Sequence, residues 1–455
     1  MRAKKDETFD FNRKFLTFSS IWIKDIAMET IYYTFNPWWE GKDFESGIDR
    51  PDYLNRLPSL LKRKQVEVII GSRRIGKTTL LKQYIKEVLR SGIHEKDIFY
   101  LALDHPSLSS IPVSEHLKNM RKIFMHGRER KLFLFLDEIQ ESRNWEIELK
   151  NIYDLEDLKI FCTGSTSALV KGQGGRLTGR QIITTLYPLS FNEFFLFQGG
   201  RPSLTEDYKY EKFAEEYLTL GGYPEQVLNP SVEYMSNLLD DILARDLIRL
   251  YPIKKAFVLK DLLRLIAASV GSRTSFNKLG KVLGLSVDTV KEYLGYLESA
   301  FLVMPMEKWT TSYSQKVYAQ KKVYLWDTGI KTLLTGTADE GSKAENAVFM
   351  ELKRKKISCG YFAESEREVD FITGTVEKPN PVEVKYLSSF DLSDRRYSGI
   401  KLFLRRFPST RRVFLITRDL EKEIRVNKTL LTGIPLWKFL LSSDTYLGEM
   451  GDSGS

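Results

Sequence analysis

Cysteine and histidine are scarce in this chain of 455 residues, which holds two cysteines and four histidines. Cys162 and Cys359 stand far apart in apolar segments, so neither a disulfide framework nor a Cys/His zinc site is supported, and a reducing, cytoplasmic setting is expected. Long apolar runs are missing as well. None approaches the roughly 18 residues that a membrane span requires, and Met1-Arg2-Ala3-Lys4-Lys5-Asp6-Glu7 lacks an apolar leader core, so no membrane partner is expected. Neither sign of charge dominates: 69 Lys and Arg against 60 Asp and Glu leave a net charge of +9, a modest excess that suits a polyanionic partner. The length exceeds what one core can bury and predicts about three domains.

What is present starts with Gly71-Ser72-Arg73-Arg74-Ile75-Gly76-Lys77-Thr78-Thr79, set behind the apolar run Val66 to Ile70 and ahead of a helical stretch from Leu80 to Leu89. This reads as a phosphate-binding loop for ATP or ADP. The glycines let backbone N–H groups close around the β- and γ-phosphates, Lys77 reaches the same oxygens, and Thr78 offers its hydroxyl to Mg²⁺ at a helix N-terminus. A second element supports it. Lys131 to Leu136 is a continuous apolar run ending in Asp137 and Glu138, as a buried parallel strand does when its tip enters an active site. There Asp137 can hold the Mg²⁺ shell and Glu138 can polarise the attacking water.

Short apolar runs at Val66 to Ile70, Ile98 to Leu103, Leu132 to Leu136, Leu158 to Cys162 and Gln181 to Leu186 alternate with helical patterns, which predicts an α/β fold: a parallel sheet covered by helices on both faces. Thr163, at the tip of the fourth run, can sense the γ-phosphate, and the same Thr163-Gly164-Ser165 turn would serve equally as a helix N-cap. In the glycine-rich loop ahead of the fifth run, Arg176 or Arg180 can place a positive charge on the transition state, in cis or from a neighbouring subunit of a homo-oligomer.

The combination resembles the archaeal P-loop ATPases of the AAA-type and STAND-like lineage, which carry a winged-helix segment and a C-terminal nuclease-like domain. Its carriers here are Asn36 to Trp39, Gly71 to Thr79, Leu136 to Ile139, Phe161 to Ser165, Leu186 to Phe194, Gly221 to Pro224 and Asp240 to Asp246. The resemblance implies ATP binding with slow or partner-triggered hydrolysis. It also implies a division into an N-terminal arm (1–50), an ATPase core (51–200), a helical lid (201–257), a winged helix (258–312) and a restriction-endonuclease-like domain (313–455). In the arm, Trp38 and Trp39 can cover the adenine or clamp the arm onto the core.

The downstream residues fit that division. Leu238 to Leu250 has the three- and four-residue apolar spacing of an amphipathic helix. From Ser275 to Ala300 the sequence reads as a helix-turn-helix: Ser275 and Ser286 cap two helices, Gly284 turns the chain, and Val287, Val290, Leu294 and Leu297 form the second helix's apolar stripe. Its exposed start, with Asp288, Lys291 and Glu292, is nearly neutral, unlike a helix that reads base edges. In the last domain, Asp370 ends a strand and Glu383 and Lys385 stand two apart on the next, on one face. Asp370, Glu383 and Glu345 can hold Mg²⁺ while Lys385 orients a water, an order resembling that of restriction-endonuclease-like cores. Basic runs at Lys353 to Lys356, Arg405-Arg406 and Arg411-Arg412 can track a phosphate backbone. Two functions remain open on sequence: an ATPase acting on DNA whose nucleotide state gates a nuclease, or an ATP-driven signalling switch that binds protein partners and cuts nothing.

Overall fold

A computed structural model of the chain describes residues 27–164, 177–200, 207–253, 255–389, 391 and 393–446. Ser165 and Arg176 lie outside them. The chain divides into two compact units, Met1–Gly71 with Gly76–Leu186, and Ser72–Ile75 with Tyr187–Ser455.

The first unit is built on five parallel strands: β1 (Val66–Ile70), β2 (Ile98–Ala102), β3 (Leu132–Asp137), β4 (Leu158–Gly164) and β5 (Gln181–Thr185), in the order β2-β3-β4-β1-β5. Every residue of β3 and β4 is buried, which requires cover on both faces and explains their unbroken apolar runs. The helix Lys77–Arg90 turns Leu80, Leu81, Tyr84, Ile85 and Val88 inward, one stripe at helical spacing. Together these elements form a P-loop NTPase fold. Ahead of the sheet, Trp38 and Trp39 each donate an indole N–H to Ile98 O, at 3.1 and 2.9 Å, so the arm's tryptophans pack on the core.

In the second unit the helix Val232–Asp241 runs into a wider, π-helical turn at Ile242–Ile248. There follow the helix Ala256–Ala268, β6 (Arg273–Thr274), the helices Phe276–Leu283 and Val287–Ser299, β7 (Val303–Met306) and β8 (Lys321–Leu325). Ser275 and Ser286 cap those two helices, accepting from Lys278 N at 3.4 Å and Thr289 N at 3.1 Å. Tyr293 joins Val290, Leu294 and Leu297 in the buried stripe, and Val287 is only half-buried. The three short strands pair antiparallel in the order β6-β8-β7. A boundary at residue 312 would cut β7 from β8, so this element extends to Leu325.

The last sheet has six strands, β9 (Cys359–Glu364), β10 (Arg367–Gly374), β11 (Pro379–Val384), β12 (Arg412–Thr417), β13 (Lys422–Val426) and β14 (Thr429–Pro435), ordered β13-β14-β12-β11-β10-β9. On one face Ile400 and Phe403 of the helix Ser398–Arg406 pack against Val369, Val413, Leu415 and Leu431. The expected lid and last domain share one unit because their helices meet closely. The buried Asp327 carboxylate accepts from Gly222 N at 2.6 Å and from Gly329 N at 2.8 Å. A Cβ at Gly329 would lie 2.2 Å from Leu220 O, so only glycine fits there.

Candidate functional site

The phosphate loop leaves β1 at its C-terminal end, with Gly76 at φ 99°, a conformation that favours glycine. Ile75 is fully buried and anchors the loop, while Lys77 folds back so that its Nζ donates to Gly71 O at 3.2 Å and stands 4.0 Å from a Glu138 oxygen. A Cβ at Gly47 would meet the Thr79 methyl at 3.0 Å, which shows how closely the first helical turn is packed.

Beside the loop, Asp137 is the hub of a hydroxyl network. Thr78 donates to its Oδ2 at 2.7 Å, Tyr100 donates to the same oxygen at 3.0 Å, and Thr163 donates to Oδ1. The Thr163 hydroxyl also accepts from Glu138 N at 2.9 Å, tying the tips of β3 and β4 together. Burial raises the Asp137 pKa, and the hydroxyl donors oppose that shift. Burial and the neighbouring carboxylate push the Tyr100 phenol well above its ordinary range, so it remains a donor. Glu138 sits at φ 51°, a left-handed turn that sets it off the strand line, and its Oε2 accepts from Gln140 Nε2 at 2.5 Å. Tyr100 escaped the sequence reading because a tyrosine in an apolar run looks like core.

Arg180 is not at this site in its own chain. It precedes Gln181, which pairs with Val66 at the start of β1, whereas the loop follows Ile70 at the other end. A strand of that length spans about 16 Å. Arg180 is instead bound by Asp154 at 2.9 and 3.2 Å.

The tip of the loop groups with the second unit. Ser72 Oγ and the Tyr223 hydroxyl are 2.8 Å apart, Arg73 holds Asp246 at 2.7 and 3.2 Å, and Arg74, at φ 58°, lies 3.9 Å from Asp241. The amphipathic segment around residue 245 therefore meets the loop through its acids. Arg245 turns back onto Asp241 at 3.2 Å.

The C-terminal candidates do converge. Phe371 pairs with Val382 across β10 and β11, which sets Asp370 opposite Glu383; Asp370 N donates to Glu383 Oε2 at 3.2 Å, and Val384 N donates to Asp370 Oδ2 at 2.9 Å. Their centre holds a lysine that the sequence reading missed. Lys322, fully buried on β8, stands 3.1 Å from Glu345, 3.0 Å from Glu368 and 3.1 Å from Asp370. Burial works against its charge, but the three carboxylates outweigh burial and keep it protonated. Tyr324 donates to Glu345 at 2.7 Å, and Lys385 lies 2.6 Å from Glu383 and 3.8 Å from Asp370. The two ammoniums outweigh burial at Asp370 and lower its pKa. Burial and the Asp370 charge raise Glu345 to about 7 and Glu383 to about 8. The expected Mg²⁺ set of Glu345, Asp370 and Glu383 is corrected accordingly. Among the described residues no group of three or more Asp, Glu, His or Cys side chains is placed to hold a metal. An ammonium takes the central position, and Lys385 is bound to a carboxylate.

Residues 63–195 match the family model described as an AAA domain, and residues 211–341 match a domain of unknown function. The first stretch is thus a P-loop ATPase domain of the AAA type. The uncharacterized protein MJ1544 of Methanocaldococcus jannaschii is 30% identical over 327 residues, 68% of this chain and 72% of its own, and the chain belongs to the same family as that protein. An uncharacterized protein of Haemophilus influenzae is 27% identical over 350 residues, 74% of this chain and 87% of its own, so the likeness extends to a bacterium. Among solved structures, the Aeropyrum pernix ORC1 protein in complex with DNA overlaps loosely, at 12% identity and a TM-score of 0.29 over 66% of this chain and 95% of that one. No helix among the described residues is long and apolar enough to cross a membrane.

Proposed function

We propose that the chain is a Mg²⁺-dependent ATPase in which Gly71 to Thr79 cradle the phosphates and Lys77 neutralises their charge. The observation that carries this reading is the Asp137 carboxylate, held at the tip of β3 by three hydroxyl donors, with the Thr78 hydroxyl among them. Hydroxyl and carboxylate oxygens suit a hard cation, so Thr78 and Asp137 would hold Mg²⁺, which when bound offsets phosphate charge. Glu138 polarises the attacking water, and Thr163 links the position of Glu138 to that of Asp137. Arg180 can meet a phosphate only from a second copy of the chain. Calorimetry tests the assignment: Lys77→Ala should abolish measurable ATP binding, and unchanged binding would refute the phosphate loop. Glu138→Gln should keep binding while hydrolysis falls about 100-fold or more.

For the remainder, we read the elements from Ala256 to Leu325 as a winged helix and the last sheet as a nuclease-like domain. Lys322 favours the switch over the gated nuclease, because a buried ammonium already supplies the positive charge that a cleavage site would take from a metal. The grip of Asp246 and Asp241 on Arg73 and Arg74 supplies a nucleotide-sensitive latch. Incubating the protein with single- and double-stranded DNA, Mg²⁺ or Mn²⁺, and with or without ATP, beside Glu383→Ala, decides the matter. Divalent-dependent nicking that Glu383→Ala removes would restore the nuclease.

A further inference from the structure

The turn Gly221 to Pro224 is far from the phosphate loop in sequence, yet its tyrosine ends on it. Tyr223 is fully buried, and its hydroxyl stands 2.8 Å from the Oγ of Ser72, which is buried as well. Burial pushes the phenol's pKa well above its ordinary range, so the hydroxyl stays intact as a hydrogen-bonding group. The neighbouring grip on the loop is of another kind: Arg73 and Asp246 are partly exposed, and solvent screens such a pair. A hydrogen bond closed off from water is electrostatically stronger than one in contact with it. Of the two holds, the phenol on Ser72 is the firmer.

Tyr223 is in turn fixed by Asp327. This carboxylate caps the helix Thr328–Thr335 with Oδ1, which accepts from Gly329 N at 2.8 Å and from Ile330 N at 3.3 Å. A cap needs no more than one oxygen. The other, Oδ2, accepts from Gly222 N at 2.6 Å, across 105 positions of sequence. The turn is locked from its far side too: Leu189 N donates to Gly222 O at 2.7 Å, and a Cβ at Gly222 would lie 2.6 Å from Leu189 O. Gly221, at φ 77°, leaves no more room, since a Cβ there would meet Asp327 Oδ1 at 2.1 Å. Burial raises the Asp327 pKa to about 6 and its backbone donors oppose the rise, so it is a charged acceptor at neutral pH. Charge-assisted hydrogen bonds of this kind are the strong ones.

We propose that Tyr223 is a positioning residue for the phosphate loop and that Asp327 holds it to that task. Contacts run without a break from Asp327 through Gly222 and Tyr223 to Ser72, the second residue of the loop. On the ATP reading, which this role presupposes, the two residues act through Ser72 rather than on the phosphates. They set where the loop's amides stand before nucleotide arrives, so their contribution is to affinity by preorganisation and not to the chemical step.

The test is calorimetry of Mg²⁺ and ATP against the full chain, paired with phosphate release. Tyr223→Phe removes one hydroxyl and keeps the ring; it should weaken ATP binding about 5- to 10-fold. KM should rise while kcat changes less than about two-fold. Ser72→Ala should cause a loss of the same size, and the double variant no further loss, because either change breaks the same bond. Asp327→Asn keeps the shape of the cap without its charge. It should weaken ATP binding in the same direction, and Tyr223→Phe should cost less in that background than in the wild type. Tyr361→Phe removes another buried phenol, one that donates to Gln320 O, and should leave ATP affinity unchanged however far it lowers the melting temperature. A wild type that binds no ATP, or a Lys77→Ala variant that binds as well as the wild type, ends the ATP reading and this role with it. Binding that is lost in Lys77→Ala but equal in Tyr223→Phe and the wild type ends this role alone, as do additive losses from Ser72→Ala and Tyr223→Phe.

Discussion

The two carboxylate centres of this chain are built from opposite partners. Asp137 is held by hydroxyls, from Thr78, Thr163 and Tyr100, which orient the carboxylate and leave its charge uncancelled. Asp370 and its neighbours are held by ammoniums, from Lys322 and Lys385, which cancel charge as they orient. A buried negative charge is costly unless a cation meets it. On the proposed function the first centre leaves that cation to come from solution with the nucleotide, whereas the second carries its own. Acidic residues at strand tips therefore identify a metal site only once their partners are known.

The sharpest way to break this contrast is Lys322→Met. Without the ammonium, Glu345, Glu368 and Asp370 face one another unpaired, and stability should fall by about 3–5 kcal/mol in urea melts. Mn²⁺ should restore part of the loss in the variant and leave the wild-type melting temperature unmoved. If Mn²⁺ stabilises the wild type as strongly, the cluster is a metal site after all.

Next in size is Asp137→Asn, expected to lower ATP hydrolysis about 100-fold, or about 2.7 kcal/mol. Asp370→Asn should leave hydrolysis unchanged; phosphate release measures both. Equal losses would mean that the two centres act as one.

A pH series sharpens the comparison further. Burial and the Asp370 charge lift Glu383 to about 8, above its unfolded value near 4.3. Between those values the folded state binds the proton that the unfolded chain has released, so this group's stabilisation is complete in acid and is lost as pH rises from about 5 to 8. Glu383→Gln should flatten that fall in melting temperature, and an identical pH profile in the variant would remove Glu383 as its source. The smallest effect belongs to Asp246→Ala: the pair is partly exposed, so stability should change by less than about 1 kcal/mol. Freed from Asp246, Arg73 should raise ATP affinity a few-fold by calorimetry, and weaker binding would show that the latch holds the loop open for nucleotide.

The five core strands were legible in the sequence to within two residues, because each is an apolar run bounded by loop or cap residues, and the phosphate loop was legible because its glycines and Lys77 sit at fixed offsets. What escaped was every partner brought in from a distance. Tyr100 reads as core until β2 pairs with β3, and Lys322 reads as an ordinary charged residue in a basic pair until β8 lies beneath the Glu340–Arg354 helix and β10. The cis placement of Arg180 failed for a related reason: a sequence places a residue before a strand but does not say at which end of the sheet the chemistry lies.

β2 is an outer strand of its sheet, and such strands expose unpaired amides that invite other chains to add on. Here Asn36 imitates a neighbouring strand: its Oδ1 accepts from Tyr100 N at 2.7 Å and its Nδ2 donates to Tyr100 O at 3.0 Å, while Trp38 and Trp39 occupy Ile98 O. Three side chains thus act as a plug against self-association. A fragment trimmed to the ATPase domain, starting near residue 63, would bare that border and be prone to clump, so the arm is a solubility element as much as a clamp.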